Sequence, residues 1–195
     1  MNTKYMFDKL DIIKYRFLKE FVEASESEEL TIYPMKSECK DQERKNFLSA
    51  IFGTKDENGL WDVKALWEKY YDGVRNYLGV KKNIAVIDKL ENKENLKGII
   101  FLDPDTGIKG KKTKEHLSVE EIDEFRENTV IIYQHRNRGV NFKKDLDKKR
   151  KMLNGKNLNF KIYVENNSKE IFFIVVNPEN VKLSEDSNFS EFPKK

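Results

Sequence analysis

Gly98-Ile99-Ile100-Phe101-Leu102-Asp103-Pro104-Asp105-Thr106-Gly107-Ile108-Lys109-Gly110 is the stretch whose reading decides the fold. Four consecutive apolar residues, Ile99 to Leu102, show no polar alternation, the pattern of a strand buried on both faces. Strands of that kind sit in parallel sheets with helices on either side, so the expected class is α/β. Asp103 and Asp105 then fall at the strand's C-terminal end, where open α/β sheets bind their ligands. Pro104 removes a ladder donor and Gly107 permits a positive φ, so the chain turns there.

Downstream, Thr129 to Tyr133 (TVIIY) reads as the next buried strand, and it runs into Gln134-His135-Arg136-Asn137-Arg138-Gly139. If this strand lies parallel to the one ending at Asp103, then His135, Arg136 and Arg138 surface on the same sheet edge as the two acids. Imidazole titrates near neutral pH or ligates a metal, and guanidinium pairs bidentately with phosphate. The set suits phosphate-ester chemistry. A bland alternative is a loop in which the arginines simply neutralise the acids. Between the two stretches, Lys109 to Glu115 carries four lysines and suits phosphate binding or a solvated connection equally.

The flanking segments supply the layers. Apolar residues at Leu10, Ile13, Phe17, Leu18 and Phe21 predict an amphipathic helix within Tyr5 to Glu23, and Leu30 to Pro34 a first strand. Asp41 to about Phe52 reads as a second helix with a basic rim, and Asp62 to Leu78 as a third, stopped by Gly79 and carrying core aromatics. Ile84 to Asp88 reads as another strand. Ser118-Val119-Glu120-Glu121 is a capping box opening a short helix over Ile122 and Phe125. Phe142 to Leu153 reads as a helix with Phe142, Leu146 and Leu153 inward and its six cations mostly outward. That face can track a nucleic-acid backbone or serve as a plain solvated surface. Asn159 to Val164 and Glu170 to Val176 form an antiparallel hairpin. Residues 1–180 are thus expected as a single α/β domain, with 181–195 a frayed polar tail.

Composition sets outer bounds. The chain has 195 residues, 38% hydrophobic and 12% aromatic, which suffices for a core, and its 36% charged residues nearly cancel at +3. A single cysteine, Cys39, excludes an internal disulfide and a cysteine-rich zinc site. With no apolar run near 18 residues and no signal-peptide pattern, a cytoplasmic protein with no membrane partner is expected.

The element order resembles the Rossmann-like arrangement of class I methyltransferases, which implies a three-layer sandwich: a mostly parallel sheet completed by a C-terminal antiparallel hairpin. FLDPDTGI stands where such enzymes carry an acidic Asp-Pro motif, and Asp103 and Pro104 match it. Asp105 and Thr106 depart from it, and the turn after Pro34, Met35 to Asp41, has no glycine to cradle a cofactor. Phe101 to Gly107 and Tyr133 to Arg138 are also similar to a set of uncharacterised prokaryotic and phage proteins with Phe-x-Asp-Pro-Asp-Asn-Gly followed by Tyr-Gln-His and arginines. Here Thr106 replaces the Asn. The hhhhDxDxT pattern of haloacid-dehalogenase phosphatases fits as well, but those proteins open their domain with it.

Three functions are compatible with this sequence. In a metal-assisted phosphodiesterase or nuclease, Asp103 and Asp105 would hold Mg²⁺ or Mn²⁺, His135 would be general base or third ligand, and Arg136 or Arg138 would stabilise the developing charge. Thr106, Gly107, Lys109, Tyr133, Gln134, Lys143 and Lys144 would contact the substrate, a nucleic acid or nucleotide. In a methyltransferase-like base-modifying enzyme, Asp103 and Pro104 would face the target base, Tyr133 would stack on it, and S-adenosylmethionine would be needed. In a non-catalytic binding or adaptor protein, of phage or defence type, the acids merely pair with the arginines.

Overall fold

The computed structural model describes residues 9–34, 63–79, 83–87, 95–104, 107–109, 117–135, 141–167, 171–178 and 181–192. Their elements, in chain order, are α1 (Lys9–Ala24), β1 (Glu29–Tyr33), α2 (Val63–Leu78), β2 (Asn83–Val86), β3 (Ile99–Leu102), α3 (Val119–Asp123), β4 (Thr129–His135), α4 (Phe142–Asn154), β5 (Phe160–Glu165), β6 (Ile171–Val176) and β7 (Phe189–Glu191). The helix expected over 41–52 and residues 110–115 of the lysine loop lie outside the described residues, as does Asp88.

The fold is mixed α/β around one seven-stranded sheet, ordered β2-β1-β3-β4-β6-β5-β7. β2, β1, β3 and β4 are mutually parallel neighbours. β6 runs antiparallel between β4 and β5, and β7 antiparallel on the outer side of β5. Because a strand's side chains alternate between faces, the apolar runs feed two cores. Ile99, Phe101, Ile131 and Tyr133 join α1 and α2 on one face, while Ile100, Leu102, Val130 and Ile132 join α3 and α4 on the other. All four residues of β3 are buried, as their unbroken hydrophobicity requires.

On the α1 face, Phe17 is fully buried and stacks on Phe173 with ring centroids 4.0 Å apart. Tyr163 and Phe189 close in at 5.4 and 5.0 Å. Phe189 belongs to β7, so the segment from 181 is not a frayed tail. Val181 and Phe189 are core residues, and hydrogen bonds to β5 fix the strand. Val181, Leu183, Phe189 and Phe192 are spaced too irregularly among polar residues to show a period, and only the packing against the sheet reveals their role. On the other face the expected capping box is present: Ser118 Oγ accepts from the Glu121 amide and Glu121 Oε2 accepts from the Ser118 amide. Asn141 caps α4 by accepting from the Lys143 and Lys144 amides. No helix among the described residues is long and apolar enough to cross a membrane.

Candidate functional site

Among the parallel strands, chain order and sheet order diverge at β1. β1 has β2 on one side and β3 on the other, so the connections leave in opposite directions and a crevice is expected beyond the C-terminal ends of β1 and β3. Asp103 sits there, its amide donating to the Tyr33 carbonyl at 3.0 Å as the ladder's last rung. β3 and β4 pair in register from Ile99 with Thr129 to Leu102 with Ile132, which brings Tyr133 to the same edge. The parallel pairing on which the sequence reading depended is therefore present.

What meets Asp103 is a residue the sequence reading left out. Lys14 of α1 is 2% exposed, and its Nζ lies 2.7 Å from Asp103 Oδ2 and 2.6 Å from Asp11 Oδ1. Tyr70 of α2 donates to Asp11 Oδ2 at 2.6 Å. Burial alone would push the lysine's pKa down, but Asp103 and then Asp11 outweigh it and hold the ammonium well above the ordinary lysine value. Lys14 is thus a fixed cation and not a base. Its Nζ also stands 4.9 Å from the Tyr15 ring centroid and 5.2 Å from that of Tyr133. Tyr133 Oη in turn makes a long 3.5 Å contact with His135 Nδ1. The sequence did carry a signal: Lys14 falls between Leu10 and Phe17 on the apolar stripe of α1, where a solvated lysine has no place.

The proposed set divides between the two faces of the sheet. Asp103, Tyr133 and His135 follow Phe101 and Ile131 toward α1, whereas Gln134 follows Ile132 toward α4. Gln134 is 1% exposed; its Oε1 accepts from the Ile108 amide at 3.0 Å and its Nε2 donates to the Tyr133 carbonyl at 2.7 Å. Gly107, at φ +76°, faces the Gln134 side-chain amide so closely that a Cβ would collide with it. These two residues pin the turn after β3. Lys149, expected on the outer side of α4, is instead buried and donates from Nζ to the Ile108 carbonyl. Desolvation pushes its pKa down to about 8, with Asp145 opposing and Lys148 and Lys109 adding to the fall. Lys148 precedes Lys149 in the chain, and Lys109 follows Ile108, whose carbonyl Lys149 reaches.

Around this buried amine the surface is cationic. Lys109, Lys143, Lys144, Lys148 and Lys151 are exposed. Lys144, Lys148 and Lys151 follow one another at four and three residues, forming a stripe along α4. None of these five makes an ion pair among the described residues, whereas Lys156 beyond the helix pairs with Glu120 at 3.4 Å. Asp105, Thr106, Arg136 and Arg138 lie outside the described residues, so only Asp103 of the two expected metal ligands is placed. Among the described residues no group of three or more histidine, cysteine, aspartate or glutamate side chains converges to hold a metal ion.

No family model matches the chain. No curated protein matches it either. Among solved structures, the chain is similar to a phosphoethanolamine N-methyltransferase 2 of Haemonchus contortus, solved with phosphomonomethylethanolamine and S-adenosylhomocysteine, at 13% identity and TM-score 0.37 over 89% of this chain. This chain spans 38% of that enzyme's length. It is also similar to a Legionella pneumophila protein of the DUF519 family, at 12% identity and TM-score 0.33, over 87% of this chain and 85% of that one. At TM-scores below 0.5 neither likeness bears on activity.

Proposed function

We propose that this chain is a Rossmann-like, three-layer nucleic-acid-binding protein that lays a phosphate backbone along the α4 face of its sheet. The observation that carries the reading is the stripe of exposed lysines on α4 that make no ion pair among the described residues, with Lys109 joining it at the turn after β3. Cations without acidic partners release counterions when they neutralise phosphates, which favours a polyanion irrespective of its sequence. The fold assignment draws on helices covering both faces and on the reversal of strand order beside β1. Metal-assisted phosphodiester cleavage has less support, because the Asp103 carboxylate is engaged by Lys14. A methyltransferase-like reading has less again: the turn where S-adenosylmethionine would need a glycine cradle has none in its sequence.

The test is fluorescence anisotropy with a labelled single-stranded 20-mer over a range of salt. Lys144→Glu/Lys148→Glu/Lys151→Glu should weaken binding about 100-fold near 100 mM salt, and the slope of log K against log salt should become shallower by about 2, near 0.7 per lost phosphate contact. Those side chains are exposed, and Lys148→Glu relieves repulsion on the buried Lys149, so the variant should unfold at no lower a urea concentration than the natural chain. Micromolar binding that is absent at 50 mM salt, or that survives the triple change, overturns the reading.

A further inference from the structure

Beside the lysine stripe, a cavity of about 380 Å³ opens between the C-terminal half of α4 and the chain entering β5. Asp147, Arg150, Lys151 and Asn154 line it from the helix, recurring at three and four residues, and Leu158, Asn159 and Phe160 supply the rest of its wall. Lys151 belongs to both the cavity and the stripe. Resting on the nucleic-acid reading above, we infer that this cavity takes one unpaired base of the bound strand, so that the ligand is single-stranded.

The wall offers both of the things a nucleobase requires, a face to stack on and groups for its edge. Leu158 and Phe160 are buried and make an apolar floor. Arg150 brings a planar group that is already held: its guanidinium carbon lies 5.0 Å from the Phe192 ring centroid, and Nη2 donates to the Phe192 carbonyl at 3.4 Å. Asp147 Oδ1 stands 4.0 Å from its Nη1. The side chain is thus ordered before a ligand arrives, and bases stack on guanidinium planes of this kind. Asn154 and Asn159 are exposed, and their side-chain amides make no hydrogen bond among the described residues. Each therefore keeps a donor and an acceptor for the edge of a base.

A phosphate is the competing occupant of a cavity lined by arginine and lysine, and the local charges disfavour it. The Asp147 carboxylate is part of the wall, and the cavity lies along the last two turns of α4, the negative end of the helix dipole. Phosphates belong instead on Lys144, Lys148 and Lys151 at the rim, and the uncharged base goes in. A base within a duplex is paired and stacked, so it cannot enter without leaving the helix.

Anisotropy on the full chain at about 100 mM salt tests this with three labelled ligands: a single-stranded 20-mer, its duplex, and a 20-mer of abasic sites with the same phosphates. The base-bearing strand should bind about tenfold tighter than the abasic one, the ratio that stacking of one base supplies. Arg150→Lys, which keeps the charge and loses the plane, should remove most of that ratio and leave duplex and abasic affinities and the salt slope unchanged. Asn154→Leu/Asn159→Leu keeps the shape of two exposed side chains but not their hydrogen bonds. It should weaken the base-bearing strand by about threefold or more and leave the abasic one as it was. Equal affinity for the base-bearing and abasic strands, a ratio that survives either variant, or a variant that weakens all three ligands alike overturns the inference and leaves the lysine stripe standing. Binding of none of the three at about 50 mM salt overturns the stripe reading, and this inference with it.

Discussion

Lys14→Met should lower the unfolding free energy by about 3–5 kcal/mol, the cost of leaving buried carboxylates without their shared ammonium. Asp103 and Asp11 both lie within 2.7 Å of that nitrogen, and both are buried. The methionine fills the volume of the lysine stem but offers neither charge nor donor. For a chain of this size the loss corresponds to a fall in melting temperature of roughly 10 °C. Urea titration at pH 7 should show a lower midpoint with an unchanged m-value. Lys14→Met/Asp103→Leu should then recover at least about 1 kcal/mol relative to the sum of the single changes, because removing both partners leaves no stranded Asp103 charge. A single-variant loss below 1 kcal/mol would mean that the cluster is solvated and contributes nothing to holding α1 on the sheet edge. The same coupling governs any activity assay: a loss of nuclease activity in Asp103→Ala is evidence for chemistry only if the variant's stability is measured beside it.

The parts of the fold that could be read from the sequence are those governed by local rules. Ile99 to Leu102 and Thr129 to Tyr133 are buried strands because nothing polar interrupts them, and Ser118 with Glu121 caps α3 because the two side chains reciprocate within one turn. What escaped the reading depends on partners far away in the chain. Lys14 is 89 residues from Asp103, Lys149 is 41 residues from Ile108, and Gln134 is 26 from the same residue. Each is a polar residue on a buried position; helical spacing puts Lys14 on an apolar stripe, but it does not name the distant partner that satisfies it. The site suffered from a second cause. Sequence places Tyr133, Gln134 and His135 side by side, yet strand alternation sends the middle one to the opposite face. The candidate acid and the candidate phosphate-binding lysines therefore never formed one cluster.

Stability should rise by about 2–3 kcal/mol between pH 8 and pH 10, a direction opposite to that expected from an ion-paired lysine. Lys149 has its pKa pushed down to about 8 by burial, whereas in the unfolded chain it titrates near 10.4. Between those values the unfolded chain binds a proton that the native state lacks, so unfolding becomes less favourable as pH increases. Above about pH 10 the sign reverses. Burial raises Tyr70 and Tyr15, and Tyr163 to about 12, so the native state keeps phenolic protons that the unfolded chain loses. Lys14, also raised, adds little slope below pH 10 and joins the descent above it, where the unfolded chain loses a proton that the native state keeps. Urea midpoints measured from pH 7 to 11 should therefore pass through a maximum near pH 10. Lys149→Met should flatten the ascending limb and leave the descending one, while an unchanged ascent in that variant would show that Lys149 titrates normally. The lysine stripe adds a further consequence. A phosphate backbone laid beside Lys109 and Lys148 offsets the two charges that help depress Lys149, so bound nucleic acid should move the start of the ascent to higher pH, and 0.5 M salt should abolish that displacement along with the binding.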